Sequence, residues 1–168
     1  FKNFVKENIE HDKTELAYMN FEKNTNFYKR NKIIRKLRVK DWVYTEDTLL
    51  SLDDYLLKLK SFMFIISPPG NGIDTHRVWE TIYAGSYPVV EKSLCMNSFN
   101  EYPIIFVDNL SKITLDQIKS LKNNLNKFDS EILKVNYWMN KIDRNRVISA
   151  NDSLIISESE EIRNQILK

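Results

Sequence analysis

The chain has little cysteine, glycine and proline, and it lacks long apolar runs. Its one cysteine, Cys95, excludes an internal disulfide and a cysteine-rich metal site. No apolar run approaches the ~20 residues needed to span a bilayer, and no signal peptide is visible. Only three glycines and four prolines occur in 168 residues, so the place where they collect is the most informative part of the sequence.

The composition is that of a single globular domain with a core of its own. The hydrophobic fraction of 42% and the aromatic fraction of 12% are far from those of a disordered chain. The 25 basic and 23 acidic residues nearly balance, so the net charge gives no case for nucleic acid as a partner. One basic cluster, residues 29–40, is interpreted first as a solvated helix face and second as a nucleic-acid patch.

Alternating short apolar and amphipathic segments predict an α/β fold with a doubly wound parallel sheet. Strands are predicted at 16–21, 42–44, 62–67, 87–90 and 104–107. Helices are predicted at 27–38, 52–61, 76–84, 114–125, 130–142 and 157–167, with a lead-in at 1–12 that is also a candidate helix. Asn24–Asn26 is expected to be a turn that caps the first of these helices.

Ligands of such sheets bind outside the carboxyl ends of the strands. That rule places the loops 20–26, 67–74 and 90–93 on the same rim. The loop after the most apolar strand, residues 67–80 (SPPGNGIDTHRVWE), holds two of the three glycines and two of the four prolines. It leads into a helix whose free N–H groups and dipole favour an anion, and Arg77 in the first turn adds a bidentate donor.

The glycine loop matches neither of the common phosphate-binding motifs. No Gly-Lys-Ser/Thr follows it, and Gly70-Asn71-Gly72 is too short for the dinucleotide pattern. A turn that merely connects strand and helix is the alternative, although such a connection rarely needs Pro-Pro-Gly-Asn-Gly. Gly72 is expected to need a positive φ and to allow a ligand close to the backbone.

The helix that follows offers polar side chains on one face. Arg77 and Glu80 lie three residues apart, and His76 lies four residues before Glu80. The functional interpretation assigns Arg77 to a phosphate and Glu80 to sugar hydroxyls. The alternative is a structural Arg77–Glu80 pair, but a cation in the first turn of a helix opposes the dipole and needs a reason.

Other candidate sites are less specific. His76 is open to three interpretations: a general base, a phosphate donor or a structural histidine. His11 is remote in sequence, so no zinc site is indicated, and no Asp-x-Asp or Gly-x-Ser-x-Gly motif occurs. A polar group on the first loop and helix is interpreted either as part of the ligand rim or as turn and cap residues: Asn20, Asn24, Thr25, Asn26 and Arg30.

Residues 62–90, FMFIISPPGNGIDTHRVWETIYAGSYPVV, resemble the donor-binding stretch of exostosin-like glycosyltransferases of GT-B architecture. Four elements carry the likeness: the strand ending in Ser67-Pro68, the loop Gly70-Asn71-Gly72, Arg77-x-x-Glu80, and Gly85-x-x-Pro88 followed by two valines. The stretch 18–26 with Arg30 resembles the strand and loop that open the C-terminal half of these enzymes. The resemblance covers roughly residues 15–125.

This resemblance implies a nucleotide-sugar donor site and transfer to a glycan or another hydroxyl acceptor. Arg77 would hold the diphosphate and Glu80 the ribose, with neither a metal nor a cofactor. The catalytic residue is not assigned, and His76 is the candidate. The expected substrate-binding residues are Asn20, Asn26, Ser67, Pro68, Gly70, Asn71, Gly72, Asp74, Thr75, His76, Arg77 and Glu80.

The same resemblance gives an expected domain organisation: a lead-in at 1–14, a Rossmann-like nucleotide-sugar-binding domain at 15–142 and a partly helical extension at 143–168. GT-B enzymes have two Rossmann-like halves, so a further such domain is expected in the full-length protein. Two alternatives are a non-catalytic module that binds a nucleotide or phosphoglycan, and an interaction domain that uses the basic helix. The default compartment is the cytoplasm, or a Golgi or secretory lumen if an anchor precedes Phe1.

Overall fold

The computed structural model describes residues 13–48, 50–124 and 130–145. The chain divides into two compact units, residues 1–128 and 129–168. The predicted lead-in helix at 1–12 and the predicted helix at 157–167 lie outside the described residues, and so does most of the extension 143–168. The predicted domain boundaries stay predictions.

The first unit is an α/β fold in which all five strands are parallel, so the predicted fold class is confirmed. The strands and helices lie close to their predicted bounds. The strands are β1 Thr14–Met19, β2 Val43–Thr45, β3 Phe62–Ile66, β4 Tyr87–Glu91 and β5 Ile105–Val107. The helices are α1 Phe27–Leu37, α2 Leu52–Ser61, α3 His76–Tyr83 and α4 Leu115–Asn123.

The strand order is β2-β1-β3-β4-β5, and it reverses direction between β1 and β3. These two central strands pair in parallel, with Tyr18 opposite Ile65. In an open parallel sheet, the point where the order reverses leaves a crevice beyond the carboxyl ends of the two strands. The fold therefore singles out the loops after β1 and β3 as the place for a ligand.

Both faces of the sheet are covered by helices. On one face, Ile33 of α1 and Ile118 of α4 are buried in a cluster with Phe64 of β3. On the other face, Leu59 of α2 belongs to a cluster with Tyr18 of β1. Because β3 is buried on both sides, its sequence is an almost continuous apolar run, as is typical of a central parallel strand.

Local capping sets where the helices begin and end. Ser51 Oγ accepts a hydrogen bond from Asp54 N at the start of α2, and α3 is followed by Gly85 with a φ of 69°, as predicted for a glycine after a helix. Asn24–Asn26 forms a 3₁₀ turn before α1. Asn26 occupies the cap position but makes no side-chain cap bond, so the prediction that its side chain caps the helix is wrong.

The second unit contains a 3₁₀ turn at Ser130–Leu133 and the helix α5 at Val135–Asn145. The single helix predicted at 130–142 is wrong in its first turn, where the backbone is 3₁₀. Val135 and Ile142 of α5 are exposed. In the described parts of the chain, no helix combines the length and apolarity needed to cross a membrane.

A lysine lies partly buried just before β1, at the edge of the sheet opposite the crevice. Lys13 Nζ donates to Ala84 O at 3.0 Å and to Ser86 Oγ at 2.6 Å. Burial, and then the charge of Lys60, lowers the pKa of Lys13 from 10.5 to about 8. Because these contacts are to neutral oxygens, they offset the loss of water around the ammonium group only in part.

We expect this lysine to make stability rise with pH. Between the folded pKa of about 8 and the ordinary value of 10.5, the unfolded state binds more protons than the folded state, so the free energy of unfolding increases with pH in that window. Urea unfolding at several pH values in that window should show this rise in the parent and a smaller rise in Lys13→Met. Equal pH dependence in the two proteins would contradict the assignment.

Candidate functional site

Three loops lie at the carboxyl edge of the sheet, beside the point where the strand order reverses, and the first two of them are in contact. The loop after β1 contacts the loop after β3 through Asn26, whose Nδ2 donates to Gly70 O at 3.4 Å. At the end of β4, Glu91 forms an ion pair with Lys29 of α1. The loops that the sequence places on one rim therefore do lie at one edge.

Arg30 of α1 holds the first two loops together. Its side chain is only 6% exposed, and all three of its nitrogens donate to backbone carbonyls. Nε bonds to Pro69 O at 3.0 Å, Nη2 to Pro68 O at 3.3 Å, and Nη1 to Glu22 O at 2.5 Å. Its guanidinium carbon also lies 5.2 Å from the centre of the Phe21 ring. All three nitrogens of Arg30 are therefore bonded to the protein's own backbone.

This arginine explains one of the two loop glycines. A Cβ on Gly70 would lie 2.8 Å from Arg30 Nη2, so the guanidinium group would have to shift to make room for it. A Cβ on Gly72 would meet only Asp74 O, at 3.4 Å, and Gly72 does not have a positive φ. The prediction that Gly72 requires a left-handed backbone is wrong. The glycine that permits a close approach is Gly70, and the group that approaches is a side chain of the same chain.

Arg77, in the first turn of α3, has the opposite environment. Its guanidinium carbon lies 5.2 Å from the ring centre of Tyr55 and 5.9 Å from that of Phe21. Its Nη1 is buried without a hydrogen-bond partner. Among the described residues no ion pair reaches it, so the structural pair with Glu80 that the sequence allows is not formed. Leaving a buried N–H unpaired costs about 1–3 kcal/mol.

Glu80 has a different partner, which the sequence did not reveal. Tyr55 of α2 donates its hydroxyl proton to Glu80 Oε2 at 2.9 Å. Burial holds the pKa of Tyr55 well above its usual range, so the hydroxyl remains a donor near neutral pH. Tyr55 is an aromatic residue at an inward position of an amphipathic helix, and such residues usually belong to the core. No sequence signal distinguishes it from them.

A cavity of about 500 Å³ opens between these groups. It brings together five of the twelve predicted substrate-binding residues, and the five are Asn20, Thr75, His76, Arg77 and Glu80. Its apolar lining includes Phe21, Leu50 and Leu52. Two further cavities, of about 360 and 400 Å³, lie at the ends of β2 and β5. In each of those, a lining cation is already paired: Arg38 with Asp47, and Lys92 with Asp108.

The remaining predicted residues form the frame of the loop rather than the wall of the cavity. Ser67 is buried, and its hydroxyl donates to Ile65 O at 3.1 Å. Asp74 Oδ1 accepts from Trp79 Nε1 at 2.9 Å. Asn71 and Gly72 are exposed at the tip of the loop. The contacts of the other three have been given: Arg30 donates to Pro68 O, and Asn26 donates to Gly70 O.

Two more features make the cavity suited to an anion. Thr75 precedes α3, and its Oγ1 is buried with neither a cap bond nor another partner. Burial, and then the charge of Arg77, lowers the pKa of Arg30, so the two guanidinium groups repel each other across the cavity wall. A negatively charged group placed there would offset this repulsion and satisfy the unpaired donors. Within the described residues, no three His, Cys, Asp or Glu side chains come together as a metal site.

No family model matches this chain, and no curated protein matches its sequence. The resemblance of residues 62–90 to exostosin-like glycosyltransferases therefore stays a prediction, whereas the parallel sheet and its crevice are shown.

The two loop glycines give a matched pair of variants. Gly70→Ala forces Arg30 away from the carbonyls of Pro68 and Pro69, so we expect it to lower the free energy of unfolding by about 1–3 kcal/mol. Gly72→Ala, whose Cβ would make one contact at 3.4 Å with Asp74 O, is expected to change it by no more than about 0.5 kcal/mol. Urea denaturation measures both. Equal losses in the two variants would show that Arg30 does not fix the loop.

Proposed function

We propose that this chain is the donor-binding half of a glycosyltransferase and that it holds the diphosphate of a nucleotide-sugar in the cavity beside Arg77. The observation that carries the proposal is the unpaired guanidinium of Arg77 at the start of α3, with Nη1 buried and without a partner. It lies at the reversal of strand order, where parallel sheets bind their ligands.

A diphosphate fits these groups better than a neutral ligand does. Its oxygens can accept two parallel hydrogen bonds from one guanidinium, which is the strongest common arrangement for such an anion. The helix dipole at the N-terminus of α3 acts in the same direction, and the buried hydroxyl of Thr75 supplies another donor. Each unpaired donor that a phosphate oxygen satisfies removes a cost that the free protein carries.

The rest of the cavity supports a nucleoside sugar next to the diphosphate. Glu80 gives one carboxylate oxygen to Tyr55. The other oxygen has no partner among the described residues, and we assign it to a ribose hydroxyl. The apolar side chains of Phe21, Leu50 and Leu52 line the same cavity and suit the less polar parts of the ligand. The resemblance implies the same two roles, the diphosphate for Arg77 and the ribose for Glu80.

Such a site would assist glycosyl transfer by stabilising the leaving group. Breaking the bond between sugar and phosphate builds negative charge on the diphosphate. A fixed guanidinium and a helix N-terminus stabilise that charge as it develops, and the loss of one such donor typically costs about 2.7–4 kcal/mol of activation free energy. His76 is exposed at the edge of the cavity and is the candidate base among the described residues.

Binding of nucleoside diphosphates tests the proposal. We expect UDP, GDP, CDP or ADP, or a corresponding sugar nucleotide, to raise the melting temperature of the parent protein, since a ligand of the folded state stabilises it. For the nucleotide that binds, Arg77→Ala should weaken the affinity by roughly 1.5–3 kcal/mol, the scale of a hydrogen bond to a charged group.

The control is Arg35→Ala, which removes an exposed arginine from α1. Calorimetry should find its affinity unchanged. Equal affinity of Arg77→Ala and the parent would overturn the assignment of the diphosphate to Arg77. Because the proposal makes this chain only the donor-binding half, we expect very slow transfer or none from it alone, and robust transfer to a glycan acceptor by this chain would contradict the half-enzyme assignment.

A further inference from the structure

Arg77 and Glu80 carry opposite charges and lie three residues apart on α3, yet they form no ion pair in the structure. Side chains at this spacing are neighbours on a helix surface and commonly pair. Here Glu80 is bonded to the Tyr55 hydroxyl at 2.9 Å, and the Arg77 guanidinium lies over the ring of the same tyrosine, 5.2 Å from its centre. One side chain of α2 therefore contacts both members of the pair.

We propose that Tyr55 is a positioning residue of the anion site: its hydroxyl holds Glu80 away from Arg77, and its ring supports the guanidinium so that the N–H edge remains free for a phosphate. The effect on the ligand is indirect. Tyr55 makes its contacts with two side chains of α3, and Arg77 makes the contact with the anion.

The Tyr55 hydroxyl competes with Arg77 for the carboxylate of Glu80. A carboxylate beside Arg77 can bond either to the guanidinium or to another donor. Because the Tyr55 hydroxyl stays protonated when buried, it offers a permanent donor that satisfies one oxygen of Glu80. Without that donor, the carboxylate would turn to the nearest cation, and an incoming phosphate would have to displace it.

The Tyr55 ring holds the Arg77 guanidinium in place before the ligand binds. A guanidinium group is planar and stacks on aromatic faces, and its donors leave in the plane of the group. With Tyr55 and Phe21 both within 6 Å of the guanidinium carbon, the group is held before the ligand arrives. Less side-chain entropy is then lost on binding, which increases affinity.

The inference rests on the proposed function only in taking a phosphate anion as the ligand. Inorganic pyrophosphate is therefore the probe, because it has neither ribose nor base nor sugar. If pyrophosphate binds at Arg77 but no nucleotide-sugar does, the proposed function fails and the inference about Tyr55 stands. If Arg77→Ala does not weaken pyrophosphate binding, the inference is overturned whatever the nucleotide-sugars do.

The test measures the affinity of the full chain for pyrophosphate by calorimetric titration. Tyr55→Phe keeps the ring and removes only the hydroxyl, so we expect about fivefold weaker binding, the scale of a partly exposed ion pair that the ligand must break. Glu80→Gln keeps an oxygen that accepts from Tyr55 but loses the negative charge beside the site, so its affinity for pyrophosphate should not fall below that of the parent. The double variant Tyr55→Phe with Glu80→Gln should regain the parent affinity, because no carboxylate is left to compete.

Glu80→Asp tests the same contact without changing Tyr55. The shorter side chain draws the carboxylate away from the Tyr55 hydroxyl, now 2.9 Å from Oε2, but keeps the negative charge. It should weaken binding as Tyr55→Phe does, even if the latter fails to fold. The matched control is Tyr44→Phe, which removes a tyrosine hydroxyl outside this cavity and should leave the affinity unchanged. Unchanged binding in both Tyr55→Phe and Glu80→Asp, or a double variant as weak as Tyr55→Phe, would overturn the proposal.

Discussion

The carboxyl edge of this sheet depends on one buried guanidinium. Arg30 joins the loops after β1 and β3 by donating to three of their carbonyl oxygens. Burying a charge is costly unless its donors are satisfied, and here every nitrogen has a partner. The position of the glycine loop and the absence of a side chain at Gly70 both follow from this arrangement.

Next to that satisfied arginine lies one that the protein leaves unsatisfied. The guanidinium carbon of Arg77 lies within 6 Å of the centres of two aromatic rings, and its buried Nη1 has no hydrogen-bond partner. The two like charges are close enough for Arg77 to lower the pKa of Arg30. Departures of this kind from good local pairing tend to occur at functional sites, where a ligand completes the interactions. The contrast between the two arginines is the reason for assigning an anion to this cavity.

Much of the fold follows from local sequence patterns. The apolar run at 62–67 predicted a central strand of a parallel sheet, and the alternation of strands and amphipathic helices predicted the doubly wound fold. Arg77 could be placed beside the crevice from local features alone, a glycine loop followed by a helix start, and it does line the cavity. The break between Ser130–Leu133 and α5 was missed because 3₁₀ and α turns share nearly the same apolar spacing.

The parts of the site that were missed depend on contacts between distant segments. Tyr55 lies 25 residues before Glu80, and Arg30 lies 38 residues before Pro68. Neither contact leaves a trace in local periodicity. Gly72 was singled out because glycine at a loop tip usually signals a positive φ, but the constraint falls on Gly70, where the side chain of Arg30 passes. Sequence identified the edge and its main cation, whereas packing decided which loop residues face the cavity.

Chemical-shift mapping distinguishes an anion site beside Arg77 from one elsewhere on the surface. In a titration of the ¹⁵N-labelled chain with a nucleoside diphosphate, we expect the largest amide shifts in residues 20–22 and 67–80, around Arg77. The exposed basic face of α1, with Lys32, Arg35 and Lys36, is the competing place for an anion. Shifts confined to that face, with the amides of 67–80 unmoved at saturation, would contradict the account.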